Sequence, residues 1–235
     1  MEHRGATNAP AASPRPMYAA WSTLADPLVA EAVATSGVDA VVVDLQHGHA
    51  GWDALPGLVR AIRRGGATAI VPMIESAEQA GAAARACRYP PAGERSWGRL
   101  LLPGDAGAAL SAADVNSQVT CLVMIETRAG VEALEDILTI EGVDGVFIGP
   151  FDLSLTHGYG GRGYRDCAEL EALIAHIVQR CAAHGKESGL FCTDPAMARD
   201  WIARGVGLVT VGMDLRLLWT AYRASVADIR GAAGG

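Results

Sequence analysis

Apolar and polar positions alternate along this chain in two rhythms. Short, nearly unbroken apolar runs rich in Val, Ile and Ala fall at residues 17–21, 38–44, 68–74, 119–126, 143–148, 187–192 and 207–211. Runs of this length, bounded by Gly, Pro and Asp, predict strands buried on both faces, as in a parallel sheet. Between them lie stretches with apolar residues every three or four positions, the spacing of a helix with one buried face. Asp26-Pro27 and Asp194-Pro195 each put a capping acid before a proline, and Ser76-Ala-Glu-Gln79 has the form of a capping box. The helices predicted in this way span 27–34, 52–64, 76–87, 106–116, 131–138, 169–184, a stretch opening at 194–195, and 215–229.

Strand and helix alternate throughout, with no linker in the middle of the chain. That predicts one α/β domain over residues 16–230, built as a TIM-type (β/α) barrel, behind an Ala/Pro/Ser-rich disordered tail over 1–15. The seven strands fall one short of the eight that close such a barrel. Arg99-Leu-Leu-Leu102 is the candidate for an irregular eighth.

In a parallel barrel the carboxyl ends of all strands share one face, so side chains distant in sequence converge there. Three runs end on ionisable groups: Asp44 with His47 just beyond it, Glu126, and Asp152 after a tight Gly149-Pro150 turn that also delivers Ser154. One or two carboxylates, completed by water and substrate oxygens, make an open site for a hard divalent ion such as Mg²⁺ or Mn²⁺. An imidazole with a reference pKa near ~6.5 can move protons at neutral pH. Taken singly, Glu126 also suits a helix N-terminus and His47 a hydrogen-bonded core position.

Composition narrows the field. Net charge is −7 with no basic patch, which argues against nucleic acid and anionic membrane surfaces as partners. The apolar runs are well short of the ~20 residues that span a bilayer. Five cysteines, an odd number without CxxC spacing, fit a reducing cytoplasm. The only lysine, Lys186, opens a strand on the face opposite the carboxylates, so a Schiff-base route has no candidate. Gly158-Tyr-Gly-Gly-Arg-Gly163 matches GxGxxG but does not link a strand to a helix, and reads as a mobile loop. His47-Gly-His49 leaves open a zinc-dependent hydrolase.

Four motifs then act together: Asp44-Leu-Gln-His-Gly48, Arg88-Tyr-Pro-Pro-Ala-Gly-Glu-Arg-Ser-Trp-Gly98, Val123-Met-Ile-Glu-Thr127 and the stretch from Gly142 to Ser154. In this order, over about residues 17–219, the chain resembles the HpcH/HpaI aldolases, metal-dependent pyruvate aldolases of the phosphoenolpyruvate/pyruvate superfamily. The resemblance implies reversible cleavage of a 4-hydroxy-2-oxo acid to pyruvate and an aldehyde, with Mg²⁺, Mn²⁺ or Co²⁺ as cofactor. It implies Glu126 and Asp152 as metal ligands, and His47 as acid/base with Asp44 beside it. It also implies Gly149, Pro150, Phe151, Asp152 and Ser154 around the substrate carboxylate, Arg95 at the same mouth, and a homo-oligomer, a hexamer.

The chain departs from the family at one place. Family members carry a further strand and helix between the Gly-Gly that ends the second helix and the Val-Pro-Met strand. That segment holds an arginine for the substrate carbonyl and an aspartate for the catalytic histidine. Here Gly65-Gly-Ala-Thr68 runs straight into Ala69-Ile-Val-Pro-Met73. The loss accounts for the seven strands, and it admits a second reading: a degenerate barrel that binds metal or a 2-oxo acid without turnover.

Overall fold

A computed structural model describes residues 15–51, 53, 54, 58, 62, 68–96 and 111–232. The Gly65-Gly66 helix stop, the strand candidate at Arg99–Leu102 and most of the helix expected at 52–64 lie outside the described residues, as do residues 1–14 of the tail.

The strands are β1 (Met17–Ser22), β2 (Ala40–Val43), β3 (Thr68–Val71), β4 (Thr120–Ile125), β5 (Gly145–Ile148), β6 (Glu187–Leu190) and β7 (Leu208–Met213). All pair in parallel, in the order β2-β1-β7-β6-β5-β4-β3. The sheet therefore curls into a nearly closed barrel whose described edges are β2 and β3. The seam falls where the sequence lacks a strand and helix. Edge position also explains why β2, expected to be fully buried, is only half-buried.

Side chains alternate between two cores because successive strand residues point to opposite faces. Leu122, Met124 and Phe147 fill the lumen with Ala19 and Leu208. Their neighbours Val123, Ile125, Val146 and Ile148 face outward onto helical residues such as Leu134, Ile174 and Ile177. In register, Met124 lies beside Phe147 and Ile125 beside Ile148.

The helices follow their predicted signals. Asp26 caps α1 (Pro27–Ala34) by accepting from the amides of Leu28 and Val29. Ser76 caps α2 (Ala77–Cys87), with the Gln79 side chain reaching back to the Glu75 amide. The helix expected to reach 116 is described over α3 (Ala112–Asn116). The helix expected at 131–138 is two pieces, α4 (Arg128–Glu132) and α5 (Leu134–Leu138), broken at Ala133. Pro150 opens a helix, α6 (Pro150–Thr156), where a tight turn was expected; proline suits its first position. Then come α7 (Ala168–Ala183), α8 (Pro195–Ala203) capped by Asp194, and α9 (Asp214–Ala232).

Two features fix the amino-terminal face of the barrel. Arg88 donates to Asp144 at 2.7 Å and to the Gly142 carbonyl at 2.5 Å, while Asp144 also accepts from the Cys121 amide at 2.7 Å. Lys186 donates to the Val143 carbonyl at 2.5 Å, so it lies on that face, as expected.

Candidate active site

Strand parity delivers the site. Residues 122 and 124 point into the lumen, so Glu126 continues that row at the carboxyl end of β4. Residues 40 and 42 do the same for Asp44, residue 147 for Gly149, and the lumen side of β6 ends at Phe191. An aromatic row of Phe147, Trp21, Phe191 and Phe151 climbs from the lumen to the rim, with ring centroids 5.7, 5.1 and 6.1 Å apart.

Glu126 is 3 % exposed, and its Oε1 accepts from the Met73 amide at 2.9 Å. Burial raises its pKa most, the Met73 amide opposes that, Asp152 raises it further and His47 lowers it. The two carboxylates and the imidazole therefore share one electrostatic neighbourhood. Met73 sits at φ 55°, a left-handed conformation that is uncommon without glycine. This strained residue aims its amide at Glu126, and nothing in Val-Pro-Met advertised that. Gly149 is required by close approach: a Cβ there would lie 2.7 Å from Glu126 Oε2 and 2.9 Å from its Cβ. Glycine thus keeps open the space beside the carboxylate.

Asp44, 8 % exposed, holds the loop that carries His47 through backbone amides, and its charge also interacts with the His47 imidazole without a hydrogen bond between them. Its Oδ1 accepts from the amides of Gln46 and His47 at 2.9 and 2.8 Å, and its Oδ2 from the Trp21 indole at 2.9 Å. Burial would raise its pKa; these donors outweigh it and the net shift is downward. The His47 ring has no hydrogen-bond partner among the described residues.

Two expectations change. Arg95 does not line the mouth. α2 runs antiparallel to the strands, so its end and the following loop lie at the amino-terminal face. There the Arg95 guanidinium sits 4.6 Å over the Tyr89 ring, and its amide donates to the Arg88 carbonyl at 2.8 Å. Ser154 is also turned away. It is fully buried in α6, donating to the Arg162 carbonyl at 3.0 Å, and so pins the Gly158–Gly163 segment that was expected to be mobile. At the start of α6, the capping Gly149 donates its amide to the Ile125 carbonyl at 3.3 Å, and Pro150 has no amide hydrogen. The amides of Phe151 and Asp152 are left without intrahelical partners.

Glu126, Asp152 and the space kept by Gly149 suit a hard cation whose other positions go to water and substrate oxygens. Among the described residues no group of three or more His, Cys, Asp or Glu could by itself hold a metal, so a cation here would rest on fewer protein ligands completed by water and substrate oxygens. A parallel barrel that gathers two carboxylates and an imidazole at its carboxyl-terminal mouth has the layout of an enzyme site open to a small ligand. Residues 56–221 match the sequence model of the HpcH/HpaI aldolase/citrate lyase family, and the chain belongs to that family.

Two relatives are similar over most of their length. A hydroxypyruvate/pyruvate aldolase of Rhizorhabdus wittichii is 35 % identical, covering 92 % of this chain and 95 % of that protein. A 4-hydroxy-2-oxovalerate aldolase of Novosphingobium aromaticivorans is 32 % identical over 83 % of this chain and 82 % of its own. The first alignment runs over 241 positions, more than the 235 residues present here, so the matched span contains gaps in this chain. A crystal structure of an HpcH/HpaI aldolase/citrate lyase family protein from Burkholderia cenocepacia superposes with a TM-score of 0.77 at 28 % identity, covering 92 % of this chain and 95 % of its own. The chain is an aldolase.

Proposed function

We propose that this aldolase cleaves a 4-hydroxy-2-oxo acid reversibly, with pyruvate or hydroxypyruvate as the 2-oxo acid and an aldehyde as the second product. The observation that carries the reading is the convergence of Glu126, Asp152 and His47 at one mouth, beside space that only glycine leaves open. Glu126 and Asp152 are the residues that would hold the divalent ion, with Mg²⁺, Mn²⁺ and Co²⁺ as the candidates. When bound, the ion supplies Lewis-acid charge that offsets the negative charge gathering on the keto oxygen as the carbon–carbon bond breaks. The Phe151 and Asp152 amides receive the substrate carboxylate. In cleavage His47 takes the proton from the 4-hydroxyl as the C3–C4 bond breaks and delivers it, directly or through a water, to C3 of the enolate to give pyruvate; synthesis runs the two transfers in reverse. Trp21, Phe151 and Phe191 exclude water from the reacting carbons.

We assign no counterpart to the family's arginine and aspartate among the described residues, where the His47 ring makes no hydrogen bond. We place the protein in a reducing cytoplasm on its cysteine spacing. We propose a homo-oligomer on the exposed apolar face of α9, where Trp219, Tyr222, Val226 and Ile229 recur at helical spacing. Among the described residues no helix is long and apolar enough to cross a membrane.

Exchange of the pyruvate C3 protons with D₂O, followed by NMR with and without each metal, tests the chemistry before the aldehyde is known. Metal-dependent exchange that is lost in His47→Ala is the expected result. A folded, metal-loaded protein that exchanges nothing would instead be a barrel that binds without turnover.

A further inference from the structure

Asp214, the first residue of α9, lies 6 % exposed at the corner where β7 ends and β1 ends. Its carboxylate gathers donors from one short segment. The Ser22 hydroxyl lies at 3.0 Å, the Thr23 amide at 3.0 Å, the Thr23 hydroxyl at 2.7 Å and the Leu24 amide at 3.1 Å. The Leu215 amide adds a fifth at 2.7 Å. Burial would raise the pKa of this group; the Thr23, Leu24 and Leu215 donors together lower it, so it is held as the carboxylate.

The clamped segment in turn carries the His47 loop. The Asp44 amide donates to the Ser22 carbonyl at 2.9 Å, and the His49 amide donates to the Thr23 carbonyl at 2.7 Å. Gly48 packs so closely that a Cβ would overlap the Asp44 carbonyl oxygen and lie 3.2 Å from that of Thr23. His47 is therefore flanked on both sides by residues hung from Ser22 and Thr23.

The strand order makes this corner decisive. His47 follows β2 at one edge of the sheet, whereas Glu126 ends β4, next to the other edge. With no β2–β3 pairing among the described residues, the sheet joins base to carboxylates only through the β1–β7 contact. That contact also contains the one register shift in the β1 pairings, between Ala19 and Ala20.

We propose that Asp214 is a positioning residue for the aldolase reaction: by clamping Ser22–Leu24 to β7, it sets the placement of His47 against the Glu126/Asp152 pair. The proposal rests on the reading of His47 as the base. It predicts a split in kinetics, because the substrate carboxylate and the metal are held on the β4–β5 side, which Asp214 does not touch.

The test uses the full-length, metal-loaded protein and saturable pyruvate C3 exchange. Asp214→Ala should lower the maximal exchange rate about 10- to 100-fold, the scale that a misplaced catalytic group costs, while half-saturating pyruvate stays at the parent value. In the metal-free protein the ¹³C-labelled His47 imidazole signal should broaden or split. Arg88→Met, which removes the brace at the opposite face, should lose thermal stability but keep the parent exchange rate and a single His47 signal. If Asp214→Ala does not fold, Thr23→Val removes one donor and should show the same split with a smaller loss. Exchange and imidazole spectra of the folded Asp214 or Thr23 variant that match the parent overturn the proposal, as does an equal loss of exchange in Arg88→Met. A parent protein without exchange, or exchange that survives His47→Ala, refutes the underlying reading instead.

Discussion

Glu126 shows what the site costs at the scale of one residue. Its pKa is raised in the folded protein, first by burial and then by Asp152. A carboxyl shifted upward contributes stability below its unfolded pKa, and that contribution is lost as pH rises through the folded value. The charge that Glu126 takes on as pH rises through its folded value is therefore one the metal-free protein would be more stable without. Glu126→Gln is expected to raise the melting temperature of the metal-free protein at pH 7. It should also weaken Mn²⁺ binding by more than the ~10–100-fold typical of losing an outer-sphere partner. Scanning calorimetry with and without Mn²⁺ checks both effects, and a lower melting temperature without metal would count against the buried-charge argument. The residue itself was legible in sequence, since an acid two positions beyond Leu122 and Met124 has to join their row. Met73 and Asp214 were not. A left-handed φ leaves no mark in Val-Pro-Met, and Asp214 meets Thr23 across 191 positions.

At the scale of elements, both misplacements came from treating a motif as a location. Two residues apart on a helix lie on opposed sides, so once Pro150 starts a helix, Asp152 and Ser154 cannot face the same ligand. The loop holding Arg95 follows a helix, and loops that follow helices lie at the amino-terminal face of such a barrel. Order and spacing of the strands were legible because apolar runs between Gly, Pro and Asp leave few alternatives. The strand shortfall was legible as a count, and among the described residues the sheet has seven strands with β2 and β3 at its edges. The Arg88–Asp144 brace makes the prediction proper to this scale. Arg88 is mostly buried, with its side chain 11 % exposed, and its guanidinium joins α2 to the β4 and β5 entries. Arg88→Met should cost about 2 kcal/mol, typical of losing hydrogen bonds to a charged group, read as a lower denaturant midpoint with an unchanged m-value. Turnover per folded molecule should stay the same.

At the scale of the whole molecule, α9 stands largely clear of the barrel, with Tyr222 73 % and Ile229 69 % exposed. A continuous apolar stripe of this kind marks a surface that associates. Sedimentation should therefore show an assembly heavier than the 24.4 kDa chain, and Tyr222→Asp with Ile229→Asp should dissociate it. A sedimentation coefficient of the single chain at micromolar concentration would rule out the homo-oligomer. The seam has a different consequence. Among the described residues no pairing joins β2 to β3, and a hoop with a slit at that point can bend without breaking any described strand pair. Catalysis that needs a histidine on one side of the slit and a glutamate near the other should thus fade reversibly with temperature. The fading should begin several degrees below the cooperative loss of far-ultraviolet circular dichroism and recover on cooling.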